Sequence, residues 1–236
     1  MNLTPLKSLN FSKKARNKGK IKFLIIHYTG MQSMRASIKR LLSSKHKVSC
    51  HYLISREGKI FQMVEDCNIA WHAGKSKWGN LENLNNNSIG IELVNKGHKY
   101  GYQSFTKIQI KKLIYLCKSL KRKYRIKNKL ILGHSDIAPL RKIDPGEKFP
   151  WHYLSSKKIG FYPAIKKERN RSKKKQNIKE FFKNLQNIGY RYLKKKFKKK
   201  IIKNFQRRYR QNRVDGVLDS ETFKISEILS KKSNIA

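Results

Sequence analysis

LILGHSDIAPLRKIDPGEKFPW, residues Leu130–Trp151, joins a short apolar run to a loop that carries His134 and Asp144. An earlier apolar run, Phe23–Ile26, ends directly at His27. Continuous apolar runs of this kind are typical of strands that are covered on both faces. The sequence therefore predicts that His27, His134 and Asp144 meet at one edge of a sheet.

Two imidazoles and one carboxylate suit a catalytic zinc ion, which commonly takes three protein ligands and leaves a fourth position for water. Such ligands must be unprotonated and fixed in direction. No local motif of the HExxH type ties these three residues together, and a histidine taken alone is more often structural. The pattern of residues predicts Zn²⁺ as the cofactor but leaves the structural alternative open.

Two further side chains have possible catalytic roles beside such a metal. Glu92 lies inside the apolar segment 88–94, SIGIELV, where a carboxylate is costly to bury unless it is paired or functional. It is either a general base or an exposed residue on the polar face of an edge strand. Lys142 is one of many surface lysines unless it lies beside the metal, where it would stabilise an oxyanion.

The remaining patterns predict the elements around these residues. Ser33 is expected to cap a short helix, and Thr106 with Gln109 forms the capping-box pattern of a long one. Segments 49–55 and 59–64 are expected to pair as a hairpin. Strands and helices alternate, which favours an α/β fold with a mixed central sheet flanked by helices.

Composition divides the chain into four segments. Residues 1–20 are predicted to be a loosely held N-terminal arm, and residues 21–154 the catalytic domain. Residues 155–176 are expected to be a basic linker, because Lys166–Lys175 holds one acid and no apolar residue. Residues 177–236 show three helical patterns, which predict a small C-terminal three-helix domain with a marginal core.

The formal net charge of +43 is extreme. It is compatible with a solvated basic surface or with attraction for polyanions, but the motifs of common nucleic-acid modules are absent. Three cysteines without CxxC spacing indicate free thiols rather than a disulfide framework. The N-terminus lacks the apolar core of a signal peptide, and no stretch approaches the ~20 apolar residues of a membrane helix. Read literally, these features predict a cytoplasmic protein without a membrane span.

Five segments together resemble the zinc-dependent N-acetylmuramoyl-L-alanine amidases of the type-2 family, which are also similar to peptidoglycan recognition proteins. They span about residues 20–153 and occur in the family's order: FLIIHYTG, SCHYLIS, WHAGKSKW, NNSIGIELVN and GHSDIAPLRKIDPGEKFPW. The resemblance implies that His27, His134 and Asp144 bind zinc and that Glu92 and Lys142 are catalytic. Trp71, His72, Ala73 and Arg141 are predicted to bind the substrate.

The C-terminal segment is similar to the three-helix peptidoglycan-binding domain, on the residues 185–190, 204–209 and 215–222. It departs from that pattern in the Lys-rich segment 191–200. The two resemblances imply hydrolysis of the amide bond between N-acetylmuramic acid and L-alanine, in peptidoglycan or muropeptides, and a place in the cell envelope. The rival hypotheses are a non-catalytic peptidoglycan-recognition protein on the same fold and a polyanion binder.

Overall fold

The computed structural model describes residues 3–13, 16–163 and 176–233. The strands in these ranges are β1 Thr4–Pro5, β2 Phe11–Ser12, β3 Phe23–Tyr28, β4 Tyr52–Ile54, β5 Ile60–Gln62, β6 Ile69–Ala70, β7 Lys77–Trp78, β8 Leu81–Glu82, β9 Ser88–Leu93 and β10 Ile131–Gly133. The α-helices are α1 Met34–Leu42, α2 Lys107–Tyr124, α3 His134–Ile137, α4 Trp151–Ser156, α5 Ile178–Ile188, α6 Lys198–Tyr209 and α7 Ser220–Ser233. The predicted α/β class with a mixed sheet and flanking helices is confirmed.

Six strands form the main sheet, in the order β1-β5-β4-β9-β3-β10. The four strands from β4 to β10 run parallel to one another, and β5 pairs antiparallel with β4, as the hairpin pattern predicted. β2 with β6 and β7 with β8 make two small antiparallel pairs. Because β9, β3 and β10 are parallel and adjacent, their carboxyl ends lie at one edge of the sheet, where ligands commonly bind in such folds.

The sheet is covered on both faces. Alternate residues of β3 point to opposite sides, so that Leu24 and Ile26 pack with α2 while Phe23 and Ile25 pack with the C-terminal helices. A third group of apolar side chains, which includes Leu53, lies under α1. This arrangement explains why β3 reads as an unbroken apolar run rather than an alternating one.

Both predicted helix starts are observed, although one cap works differently. The Ser33 hydroxyl accepts a hydrogen bond from Ala36 N at 3.1 Å, and the Thr106 hydroxyl accepts one from Gln109 N at 3.2 Å. The Gln109 side chain does not complete the capping box. Its amide donates instead to Ile54 O and Val94 O, at 3.0 and 3.2 Å, and so fastens α2 to the sheet.

The expectation of a loosely held arm is wrong for the described part of residues 1–20. β1 adds to the main sheet beside β5, and β2 pairs with β6. Ser8 and Asn10 are buried, and the Ser8 hydroxyl donates to Leu41 O at 2.7 Å. The segment is held by hydrogen bonds of buried polar side chains. A prediction based on apolar content could therefore not detect that it packs against the domain.

The three predicted C-terminal helices are α5, α6 and α7, and Asp219 caps the third by accepting from Thr222 N at 2.9 Å. Their apolar side chains join the core on one face of the sheet. The basic run Lys166–Lys175 lies outside the described residues. Of the helices that the structure describes, none combines the length and the apolar character that crossing a bilayer requires.

Candidate metal centre

The carboxyl edge of the parallel strands gathers the polar residues that the sequence singled out. His27 is the fifth residue of β3, and its Cα partner on the neighbouring β9 is Glu92. Residues paired in this way project from the same face of a sheet. His134 follows β10 directly, and Asp144 lies on the loop after α3. The backbone carbonyl of Asp144 accepts a hydrogen bond from Ser135 N at 2.9 Å, which holds this loop close to His134.

His27, His134 and Asp144 offer three donor atoms to one point. His27 Nδ1 lies 2.9 Å from His134 Nδ1, and each of these nitrogens lies 3.1 Å from Asp144 Oδ2. Around a tetrahedral zinc ion, donors at about 2.0 Å from the metal are separated by about 3.3 Å. The three atoms therefore form a triangle of the size that one such ion needs. Among the described residues, His27, His134 and Asp144 are a group whose donor atoms lie close enough together to hold one metal ion.

The second ring nitrogen of His134 shows which atom is free to bind a cation. His134 Nε2 lies 3.1 Å from Ala73 O, and a backbone carbonyl can only accept. Nε2 therefore carries the ring proton, and Nδ1 presents a lone pair towards His27 and Asp144. Arg141 Nη2 donates to the same Ala73 carbonyl at 2.7 Å, which holds this backbone segment against the ring. The lone pair of His134 Nδ1 and the carboxylate of Asp144 point towards each other and would repel without a cation between them. The donor set therefore fits a zinc ion.

The charge states of two of these residues agree with that fit. Burial is the main reason why the pKa of His27 is lowered to about 4. Burial alone would raise the pKa of Asp144, but its interactions with His134 and His27 lower it well below the ordinary value. At neutral pH the site therefore offers a neutral imidazole and an ionised carboxylate, the forms that bind metals.

Glu92 is buried beside this group rather than exposed on an edge strand. The residue is 9% exposed, and its Oε2 atom has no hydrogen-bond partner within the described part of the chain. Burial and the negative charge of Asp144 raise the pKa of Glu92 to about 8, although the positive charge of Lys142 acts in the opposite direction. A buried carboxyl group that exchanges its proton near neutrality is suited to acid–base chemistry.

The four residues predicted to bind substrate have protein partners of their own. The Trp71 indole donates to Ser12 Oγ at 3.0 Å, and the buried His72 ring lies 3.1 Å from His27 Nε2. Ala73 and Arg141 are joined by the hydrogen bond described above. Substrate binding by these four residues stays a prediction.

Sequence reasoning missed Asn85, which holds the segment containing His72 and Ala73. Its Oδ1 atom accepts from His72 N at 3.1 Å and from Ala73 N at 2.7 Å. The only signal was its place in an Asn-rich loop, a composition that indicates a turn rather than a support.

Comparison with known proteins gives a consistent result. The family model for N-acetylmuramoyl-L-alanine amidase matches residues 17–147. The N-acetylmuramoyl-L-alanine amidase AmiD of Escherichia coli (strain K12) is 33% identical over 234 residues, which cover 90% of this chain and 83% of AmiD. The 1,6-anhydro-N-acetylmuramyl-L-alanine amidase AmpD of Haemophilus influenzae is 44% identical over 114 residues, which cover 48% of this chain and 60% of AmpD.

Two solved structures of complexes have the same architecture. One is AmiD from Escherichia coli with the substrate anhydro-N-acetylmuramic acid-L-Ala-D-γ-Glu-L-Lys, at 32% identity and a TM-score of 0.82, covering 94% of this chain and 92% of AmiD. The other is AmpDh3 from Pseudomonas aeruginosa with anhydromuramic pentapeptide, at 30% identity and a TM-score of 0.82, covering 94% of each chain. In both, the likeness extends over the C-terminal helices as well as the sheet.

Proposed function

The chain belongs to the family of N-acetylmuramoyl-L-alanine amidases, and from this premise we propose which residues carry its hydrolysis and which substrate it takes. As a member of the family it is an amidase that acts in cell-wall turnover, on the bond between N-acetylmuramic acid and L-alanine. The non-catalytic alternative would be favoured by the loss of a ligand, and His27, His134 and Asp144 are all in place.

His27, His134 and Asp144 are proposed to hold Zn²⁺. When bound, zinc polarises a carbonyl group and acidifies water. The observation that carries this proposal is the triangle of donor atoms, with edges of 2.9, 3.1 and 3.1 Å, next to a buried carboxyl group with an unpaired oxygen.

Glu92 is proposed to act as the general base and then as the general acid. It takes a proton from the attacking water and gives it to the amine of L-alanine as the amide C–N bond breaks. Lys142, whose positive charge acts on both Glu92 and His27, stabilises the negative charge that develops on the amide oxygen. His27, His134 and Asp144 do not exchange protons in this scheme.

The proposed substrate is a muropeptide fragment of peptidoglycan whose stem begins with L-alanine. This assignment rests on the ligands of the two structurally similar complexes, AmiD with an anhydro-muramyl tripeptide and AmpDh3 with an anhydromuramic pentapeptide. The high positive charge, formally +43, suits an acidic wall fragment that carries lactyl-linked peptide carboxylates. No nucleic-acid partner is proposed.

The test is digestion of muropeptides by the full-length protein, followed by mass spectrometry of the products. Activity is expected to be lost in a chelator and restored by zinc. Glu92→Gln is expected to lower kcat by about 100- to 10,000-fold while the protein still binds zinc. Glu82→Gln, at an exposed ion pair with Lys77, is the matched control and should keep full activity. An active Glu92→Gln enzyme would exclude the proton-transfer role, and activity that survives complete removal of metal would exclude the zinc site.

A further inference from the structure

A chain of buried polar groups leads away from His27 on the side opposite the donor triangle. His27 Nε2 lies 3.1 Å from His72 Nδ1, and His72 Nε2 lies 3.2 Å from Ser88 Oγ. The Ser88 hydroxyl in turn lies 2.5 Å from Leu84 O. All of these side chains are buried, so water does not compete for their hydrogen bonds.

The last member of the chain fixes the direction of every hydrogen bond in it. A backbone carbonyl only accepts, so the single hydroxyl proton of Ser88 is donated to Leu84 O. Ser88 Oγ must then accept from His72, which places the His72 ring proton on Nε2. A neutral imidazole has one N–H, which Ser88 Oγ engages at His72 Nε2. His72 Nδ1 is therefore bare and accepts from His27 Nε2–H.

We propose that Leu84 O, Ser88 and His72 fix the tautomer of His27, and that His72 is a positioning residue for the metal. The proposal rests on the proposed function, in which His27 is a ligand. With its proton held on Nε2, His27 presents a bare Nδ1 atom to the donor triangle before any ion arrives. Without this chain the ring could place its proton on Nδ1, which would block metal binding.

The neighbouring residue Ala73 imposes the same state on the other imidazole. Its carbonyl holds the His134 proton on Nε2, 3.1 Å away, and so leaves His134 Nδ1 bare as well. His72 and Ala73 are consecutive, and Asn85 Oδ1 accepts from the backbone N–H of both. One dipeptide, held by one amide, therefore sets the tautomers of both imidazole ligands.

The protein is shaped to hold the His72 ring. A Cβ atom added at Gly90 on β9 would lie 2.3 Å from His72 Cγ, so only glycine leaves room for the ring there. The His51 ring packs edge-on against the His72 ring, with centroids 5.6 Å apart. The ring is thus fixed by packing on β9, by the His51 ring and by hydrogen bonds at both nitrogens, which is what a support for a ligand requires.

The test compares variants of His72 that keep or remove the acceptor facing His27. His72→Asn keeps an oxygen close to the position of Nδ1, whereas His72→Leu has no acceptor, and Ser88→Ala removes the group that orients His72. The full-length proteins are labelled with ¹⁵N-histidine, and the ring-nitrogen shifts report which nitrogen is protonated in the metal-free and zinc-loaded states. Zinc affinity is measured by competition with a chelator.

In the metal-free wild type, His27 and His72 are both expected to be protonated on Nε2. Zinc affinity is expected to fall by about 10- to 100-fold in His72→Leu and by less in His72→Asn. In Ser88→Ala, the His72 shifts are expected to reveal a mixture of tautomers. A merely structural role of His72 would alter stability but would leave the His27 tautomer unchanged.

Two results would overturn the proposal that His72 fixes the tautomer of His27, while leaving the amidase assignment intact. One is a His27 proton on Nδ1 in the metal-free wild type, which decides the matter even if a variant fails to fold. The other is a His72→Leu protein that binds zinc as tightly as the wild type. A wild-type protein that binds no zinc would instead contradict the proposed ligand set, which is a separate failure.

Discussion

At the scale of single residues, the site shifts the pKa values of two carboxyl groups in opposite directions. Asp144 is held ionised by His134 and His27, against the effect of its burial. For Glu92, burial together with the negative charge of Asp144 outweighs the positive charge of Lys142 and raises the pKa to about 8. Carboxyl groups whose environments separate their pKa values divide the work between fixed charge and proton transfer. Asp144 is thereby suited to binding a cation and Glu92 to moving a proton.

Lys142 gives a prediction at the same scale. Lys142→Met is expected to lower kcat by about 100- to 1,000-fold, because the ammonium group that is proposed to stabilise the oxyanion is lost. KM and zinc affinity are expected to change little, since Lys142 is not one of the three proposed ligands. Steady-state kinetics on a purified muropeptide check this, with Lys118→Met on the exposed side of α2 as the matched control. An unchanged kcat, or a loss of zinc, would assign Lys142 a different role.

At the scale of elements, the strands and helices that have a regular apolar pattern or a capping residue could be predicted from the sequence. β3, β9 and the capped helices α1 and α2 were predicted because apolar patterns and caps are local signals. The meeting of His27 with His134 and Asp144 was also predictable, since His27 ends one apolar run and the loop after another carries His134 and Asp144. The support around His72 was not predictable, because Gly90, Asn85 and Ser88 act through contacts that no pattern of spacing encodes. The two-residue strands β1 and β2 are too short to show any period.

Asn10 shows how the N-terminal segment is held. Its Nδ2 atom donates to Leu41 O, Ser43 O and Val48 O, at 3.2, 2.9 and 3.0 Å, where α1 ends. Asn10→Ala is expected to lower the free energy of unfolding by about 1 to 3 kcal/mol, because buried carbonyls lose their donor. Leu9 beside it is 81% exposed. Leu9→Ala is therefore the control, with an expected change within about 0.5 kcal/mol.

Urea titration of both variants measures these changes. Equal stabilities of the two proteins would mean that Asn10 does not hold the segment. Loss of stability in Leu9→Ala alone would point to an apolar contact instead.

At the scale of the whole molecule, the C-terminal helices support the edge of the sheet that carries the candidate metal centre. Asp136 on α3 accepts from Tyr190 OH at 2.6 Å and forms a buried ion pair with Arg208 on α6. Asn204 on α6 donates to Pro139 O and to Lys142 O, at 2.6 and 2.9 Å. These contacts join residues more than 50 positions apart, so the sequence alone indicated only a separate small unit. We propose that α6, held in the C-terminal group of helices, stabilises the loop that carries Lys142.

A second contact between α6 and the loop after Asp144, made by Glu147, gives the last prediction, because its strength depends on pH. Glu147 accepts from Arg207 Nε at 3.3 Å and contacts His98 Nε2 at 3.1 Å, and Gln211 Nε2 donates to its backbone carbonyl at 2.7 Å. Burial alone would raise the pKa of Glu147, but its bond with His98 and the charges of His98 and Arg207 lower it from 4.5 to about 2. A carboxyl group with a lowered pKa in the folded state stabilises the protein above its unfolded pKa. That contribution is lost as the pH falls from about 4.5 through about 2.

Glu147→Gln is therefore expected to lower the free energy of unfolding at pH 7 and to cost progressively less below pH 4.5. The side chain is 28% exposed, and screening by solvent leaves an expected difference of about 1 to 2 kcal/mol at pH 7. Urea titrations of wild type and variant between pH 7 and pH 3 measure this difference, with the exposed Glu65→Gln as control. A difference that stays constant over this range would mean that Glu147 acts through its shape or its backbone contacts. The ion pair with Arg207 would then not be what ties α6 to the loop beside Asp144.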